Sequence, residues 1–171
     1  MLLSNEQMNE ISEKVMAKLL VANRDGSLFD LLKRIGWGDL LPNNEDFYNY
    51  SFGYVCVLGA TEVKQSHLLG AAKEIGLKKE RFKMVLDYKS IEAFNFNELR
   101  FNPNCAAVLV GPMPHSTSGT GDFSSAITAM EAPGSGYPPV VRLVAGNELK
   151  ITKNNFSEAI VQLLKEGILS C

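Results

Sequence analysis

The chain has 171 residues, of which 46% are apolar and 21% charged, enough apolar material for one core of ordinary size with an appendage. A formal charge of −2 gives no overall basic field, so neither nucleic acid nor an acidic membrane surface is an expected partner. No run approaches the roughly 18 consecutive apolar residues of a membrane span, and Glu6, Glu10 and Glu13 deny the N-terminus the basic start of a secretory signal, so cytoplasmic residence is expected.

Residues 1–50 read as a helical arm and connector, and 51–171 as an α/β domain. In the arm, Asn5 to Val21 places Met8, Ile11, Val15 and Leu19 on one helical face, with Met16 at its margin, Ser4 as N-cap and Glu6 in the first turn. A second helix is expected over Ser27 to Ile35, stopped by Gly36 and Gly38, with PNNEDFYN (Pro42 to Asn49) as the connector. The apolar stripe must cover the following domain or a second copy of the chain, and it predicts a homodimer through these helices.

From Phe52 the pattern changes to short apolar runs alternating with amphipathic helices, which points to a mainly parallel sheet of four or five strands in a Rossmann-like or flavodoxin-like three-layer sandwich. GYVCVLG (Gly53 to Gly59) is the first strand and Glu62 to Ile75 the first helix of this domain. RFKMVLD (Arg81 to Asp87) is the second strand, and Ser90 to Phe101 a short helix with a loop. CAAVLVG (Cys105 to Gly111) is the third strand, and Asp122 caps a helix running to Met130. PPVVRLV (Pro138 to Val144) is the fourth strand, Leu149 to Thr152 a short fifth, and Asn155 to Leu164 the last helix, with Asn154 and Asn155 offering capping side chains.

Open α/β sheets bind ligands beyond the carboxyl ends of their strands, where the winding direction reverses; in the order 2-1-3-4-5 that place lies between strands one and three. The turn GATE (Gly59 to Glu62) and the loop GPMPHSTSGTGD (Gly111 to Asp122) are therefore expected to meet across one crevice with their amide hydrogens facing into it. Gly59 and Thr61 form a tight turn into a helix N-terminus that can receive phosphate, or a plain turn capped by Thr61. In the loop, Gly111, Gly119 and Gly121 permit close backbone approach, and Ser116, Ser124 and Ser125 supply hydroxyls. His115 is expected to contact a phosphoryl group, to transfer a proton near neutral pH, or simply to stabilise the loop. Asp87, ending the second strand, stands where an acidic side chain meets a ribose hydroxyl, or closes the DYKS turn. Arg142 reads as an anion clamp or, preferably, a salt-bridge residue, and His67 as a surface or packing residue.

Cys56 and Cys105 sit in core strands and read as buried hydrophobes, with Cys171 a free terminal thiol. No Cys/His spacing suggests a metal centre, and nothing names a cofactor. The layout over about Gly53 to Leu164 resembles Rossmann-like nucleotide-binding proteins at the level of fold, although GxGxxG fails after its first glycine and no GxxxxGK[ST] is present. The expected function is binding of a small phosphorylated or nucleotide-like ligand through the glycine- and serine-rich loop after the third strand. The same residues admit two alternatives. One is a hydrolase or transferase at a phosphate or glycosidic bond, with His115 as general acid or base; the other is an interaction module that uses the helical arm.

Overall fold

The computed structural model describes residues 2–41, 50–113, 123–132 and 135–171. The chain separates into two compact units, Met1–Tyr48 and Asn49–Cys171.

In the first unit, α1 (Asn5–Arg24) begins with the expected Ser4 cap, completed as a capping box. Ser4 Oγ accepts from the Gln7 N–H at 3.2 Å, and Gln7 Oε1 accepts from the Ser4 N–H at 3.0 Å. The helix runs one turn past the expected end at Val21, because nothing interrupts it before Gly26, whose φ of +78° turns the chain back. A second helix, α2 (Leu28–Arg34), packs against α1 through Ala22 and Leu32, while Met8, Ile11, Val15 and Met16 stay exposed.

In the second unit, β1 (Tyr54–Leu58), β2 (Phe82–Val85), β3 (Cys105–Val110) and β4 (Val140–Arg142) form one parallel sheet in the order β2-β1-β3-β4. Val57 pairs with Met84 on one side and Leu109 on the other, and Leu109 pairs with Val141. Between these strands lie α3 (Gln65–Glu74), α4 (Tyr88–Glu92) and α5 (Phe123–Glu131); α6 (Lys153–Lys165) follows the last of them. The alternation along β1 assigns the two faces. Val55 and Val57 pack with Leu68 of α3 and with Phe156 and Ile160 of α6, whereas Cys56 and Leu58 pack with Ile91 of α4 and with Ile127 and Met130 of α5. Helices thus cover both faces, which is why every residue of β3 is buried and its sequence is continuously apolar. The expected α/β sandwich is the observed fold. Burial pushes the Cys56 thiol up to about 12, so it stays protonated and acts as a small hydrophobe.

The end of the chain differs from expectation. In place of a fifth strand in the main sheet, β5 (Val144–Ala145) and β6 (Glu148–Leu149) make a separate antiparallel hairpin around Gly146, whose φ is +65°. Gly146-Asn147 is a two-residue hairpin turn, and local turn chemistry overrode the apolar run. The hairpin is tied down on both sides: Lys150 N–H donates to Leu143 O at 2.9 Å, and Asn155 Nδ2 reaches Val144 O and Lys150 O at 3.0 and 2.7 Å. Asn155 does cap, but from inside α6, as the third residue of a capping box whose N-cap is Thr152. At the opposite rim of the sheet, the Arg81 guanidinium donates to the carbonyls of Gly53, Ser51 and Ser170, each at 2.9 Å, holding the entry to β1 and the chain end together. Among the described residues, no helix is long and apolar enough to cross a membrane.

Candidate functional site

The exits of β1 and β3 meet, as the strand order requires. Gly59 has φ +151° and lies so near Gly111 that a Cβ on it would stand 2.7 Å from Gly111 Cα, closer than any side chain tolerates. The glycine pair is a device for backbone contact.

That contact consumes the donors expected to face a ligand. Gly59 N–H donates to Val85 O at 3.1 Å, Ala60 N–H to Pro112 O at 2.8 Å, Thr61 N–H to Leu86 O at 3.3 Å and Gly111 N–H to Leu58 O at 2.7 Å. Ile151 then seals the junction from α6's side: a Cβ on Gly111 would lie 2.4 Å from its Cγ1. The expectation of amides aimed into a shared hollow is therefore corrected. The two turns are neighbours, but the amides of Gly59, Ala60, Thr61 and Gly111 are bonded to the sheet and its exits. The expected helix start moves as well. Thr61 does not cap it: its Oγ1 accepts from the Val63 N–H at 3.1 Å and donates to Ile151 O at 3.4 Å. This local turn postpones α3 to Gln65, with Lys64 in the N-cap position.

Beyond the sealed junction opens a cleft of about 660 Å³ at the carboxyl ends of the strands. Thr61 and Glu62 from the turn after β1, Asp87 and Tyr88 from the end of β2, Pro112 from the start of the long loop, and Lys150 from the hairpin line its wall. Asp87 is the N-cap of α4, its Oδ1 accepting from the Ser90 N–H at 2.9 Å, so it closes the DYKS turn and lines the cleft at the same time. Hydrogen bonding from Ser90, first from its hydroxyl and then from its amide, holds the exposed Asp87 carboxyl below the usual carboxylate range. Tyr88 is 53% exposed beside it.

Of the residues singled out from sequence, Thr61 and Asp87 share this cleft, whereas Gly59 and Gly111 pack against each other and are not part of its lining. Ser124 and Ser125 fall in the first turn of α5. His115, Ser116, Gly119, Gly121 and Asp122 lie outside the described residues, as does the whole connector Pro42 to Asn49. Arg142 is a salt-bridge residue, its Nε and Nη2 meeting both carboxylate oxygens of Glu131 at 2.7 and 2.6 Å. Hydrogen bonding from Arg142 in turn holds the Glu131 carboxyl below its usual range. His67 is exposed on α3.

Sequence reasoning passed over Tyr88, Lys150 and Ile151 as site residues. Tyr88 was legible as the neighbour of a strand-ending acid. Lys150 and Ile151 reach the rim only because the Gly146-Asn147 hairpin brings the chain back to it, which that dipeptide and the Thr152/Asn155 capping box together signal. Among the described residues, no three His, Cys, Asp or Glu side chains gather as a metal site would require. No protein-family model, curated protein or solved structure matches this chain.

Proposed function

We propose that the α/β unit binds a small phosphorylated or nucleotide-like ligand at the carboxyl rim of its sheet. One observation carries this reading: three segments far apart in sequence, at Thr61, Asp87 and Pro112, line a single cleft at the point where the sheet reverses its winding. Open α/β sheets place their ligands there because both flanking connections leave the rim in opposite directions and vacate the space between them. The glycine- and serine-rich loop begins at the same rim, at Gly111, and its hydroxyls are the donors available by sequence for an anionic group. A cytoplasmic location accompanies this reading.

Its test is thermal unfolding of the full chain against a panel of nucleoside mono-, di- and triphosphates and sugar phosphates at millimolar concentration. A ligand at about 100 times its Kd stabilises the folded state by about 2.7 kcal/mol, a readily measured rise in Tm. A flat response to the whole panel refutes the reading.

The exposed stripe of α1 supports a second role for the arm, namely pairing with a second copy of the chain. Among the described residues of the arm's two-helix hairpin, Ala22 and Leu32 are the buried apolar ones, while Met8, Ile11, Val15 and Met16 are exposed. Two such hairpins laid together form a four-helix arrangement that covers both stripes. Light scattering on the full chain should give twice the monomer mass, and Ile11→Lys with Val15→Glu should halve it; a monomer at all accessible concentrations removes the idea.

A further inference from the structure

We infer that the outer face of α3 and the turn after it form a docking groove for an acidic, apolar-striped helix of a partner protein, on a surface separate from the cleft at the carboxyl rim.

The groove has a volume of about 620 Å³ and shares no lining residue with the rim cleft. Leu68, Ala71 and Ala72 turn the buried face of α3 to the core, which leaves Ser66, Leu69, Gly70 and Lys73, at the i, i+3, i+4, i+7 spacing of one helical stripe, as one wall. The chain from Gly76 to Glu80 forms the other. Leu77 is buried and Leu69 half-buried, so the apolar part of the lining lies recessed behind the exposed Lys73, Lys78 and Lys79. Gly70 is the informative residue. Glycine weakens a helix interior more than any residue but proline, yet a Cβ built on Gly70 would meet nothing within 4 Å. Packing within the fold therefore does not require it. What the missing side chain provides is a flat place where another backbone can come close.

Charge selects the occupant. The lining carries Lys73, Lys78 and Lys79 against Glu80, three positive groups to one negative, a local net of plus two on a chain whose own net charge is −2. Glu80 lies 4.0 Å from Lys79, and Glu74, next to Lys73, is paired with Lys153 at 3.4 Å. Among the described residues, neither Lys73 nor Lys78 has an acidic partner. A helix with an apolar stripe and carboxylates beside it answers both features: the stripe covers Leu69 and Gly70, and the acids meet the two uncommitted ammonium groups. Ser66 to Lys73 covers about 10 Å of helix axis, which two turns of such a helix span. Nucleic acid fits less well, because the lining holds no aromatic ring or arginine on which a base could stack. An anionic membrane also fits less well, since the apolar residues are recessed and none protrudes.

Selection of a displayed library of random peptides, each of about 16 residues, on the full chain, followed by fluorescence anisotropy of the enriched sequences as synthetic peptides, tests this. Enriched peptides should carry Asp or Glu beside Leu, Ile or Met at helical spacing. Their affinity should fall about tenfold or more when Lys73→Glu and Lys78→Glu are combined, and about tenfold as salt rises from about 50 to 500 mM. Gly70→Leu should abolish binding. Gly70→Ala should weaken it about threefold or more while raising the Tm by about 2–4 °C, because the methyl meets no neighbour and favours the helix. All three positions are exposed, and unchanged circular dichroism confirms that the variants fold. Absence of enrichment, enriched peptides without acidic residues, undiminished binding to the double-lysine or Gly70→Leu variant, or a Gly70→Ala chain less stable than its parent overturns the inference. So does an oligo-dT strand or a phosphatidylserine vesicle that binds the parent but not the double-lysine variant and is not displaced by the peptides, which assigns the patch to nucleic acid or membrane. A Gly70→Leu chain with half the parent's mass by light scattering overturns it too, assigning the groove to a second copy.

Discussion

The seal between Gly111 and Ile151 permits a quantitative test of how the rim is built. A Cβ added at Gly111 would sit 2.4 Å from Ile151 Cγ1 and 2.7 Å from Cδ1, well inside the ordinary separation of about 3.5–4.0 Å between carbon atoms. Ile151 is 2% exposed and its branched Cβ confines it to few rotamers, so it cannot swing aside within a close-packed core. Gly111→Ala should therefore cost about 1–3 kcal/mol as overpacking. Ile151→Ala alone should cost about 2–5 kcal/mol as a cavity. In the double variant the new methyl occupies part of the vacated space, and the loss should fall short of the sum of the single losses by about 1–3 kcal/mol. Amide exchange of the β1 and β3 backbone in the intact chain reads these free energies in the unit concerned, whereas fluorescence of Trp37, the single tryptophan, reports the arm. Losses that add to within about 0.5 kcal/mol, or a Gly111→Ala variant as stable as the parent, would show that Ile151 does not seal the junction.

Gly59→Ala should behave differently, since its Cβ would meet the Gly111 backbone at 2.7–2.9 Å and its φ of +151° disfavours any side chain; a loss of about 3 kcal/mol or more, not relieved by Ile151→Ala, is expected from the same exchange experiment. Arg81→Met removes one donor from each of three carbonyls, of which Ser51 O keeps the Ser170 N–H. It should cost about 2–4 kcal/mol and speed exchange at the Ser170 amide, which is bonded to Ser51 O at 2.8 Å, and unaltered protection there counts against the clamp. Glu131 is a carboxylate whose folded pKa is depressed, so its pairing with Arg142 stabilises fully above the unfolded value near 4.5 and is lost as pH falls through the lower folded one. NMR titration should place its midpoint below 4.5, and Arg142→Gln should return it to that value. Because the pair is largely exposed, the substitution should cost no more than about 1 kcal/mol, and an unmoved midpoint contradicts the bidentate bond.

The helices and strands were legible because each carries its own period and punctuation. Ser4, the Met8–Ile11–Val15 spacing and the glycines that follow specify the arm's helices locally, and the unbroken apolar run of β3 announces a strand covered on both faces. The strand order was not legible; the flavodoxin-like order was assumed from the fold class, and the structure supplies β2-β1-β3-β4, with which the Gly59 and Gly111 turns meet. The hairpin at Gly146 was misread because four residues of pairing are too few to register as periodicity beside a longer apolar stretch.

What the sequence alone determined is where backbone can come close: at Gly59 and Gly111, two residues without side chains at two strand ends. What the close approach accomplishes was decided by the tertiary structure, because a main-chain N–H has no preference written in its own residue and goes to whichever acceptor the fold presents. Here the acceptors are Val85 for Gly59 and Leu58 for Gly111, both of the protein itself, so the glycines knit the sheet's rim.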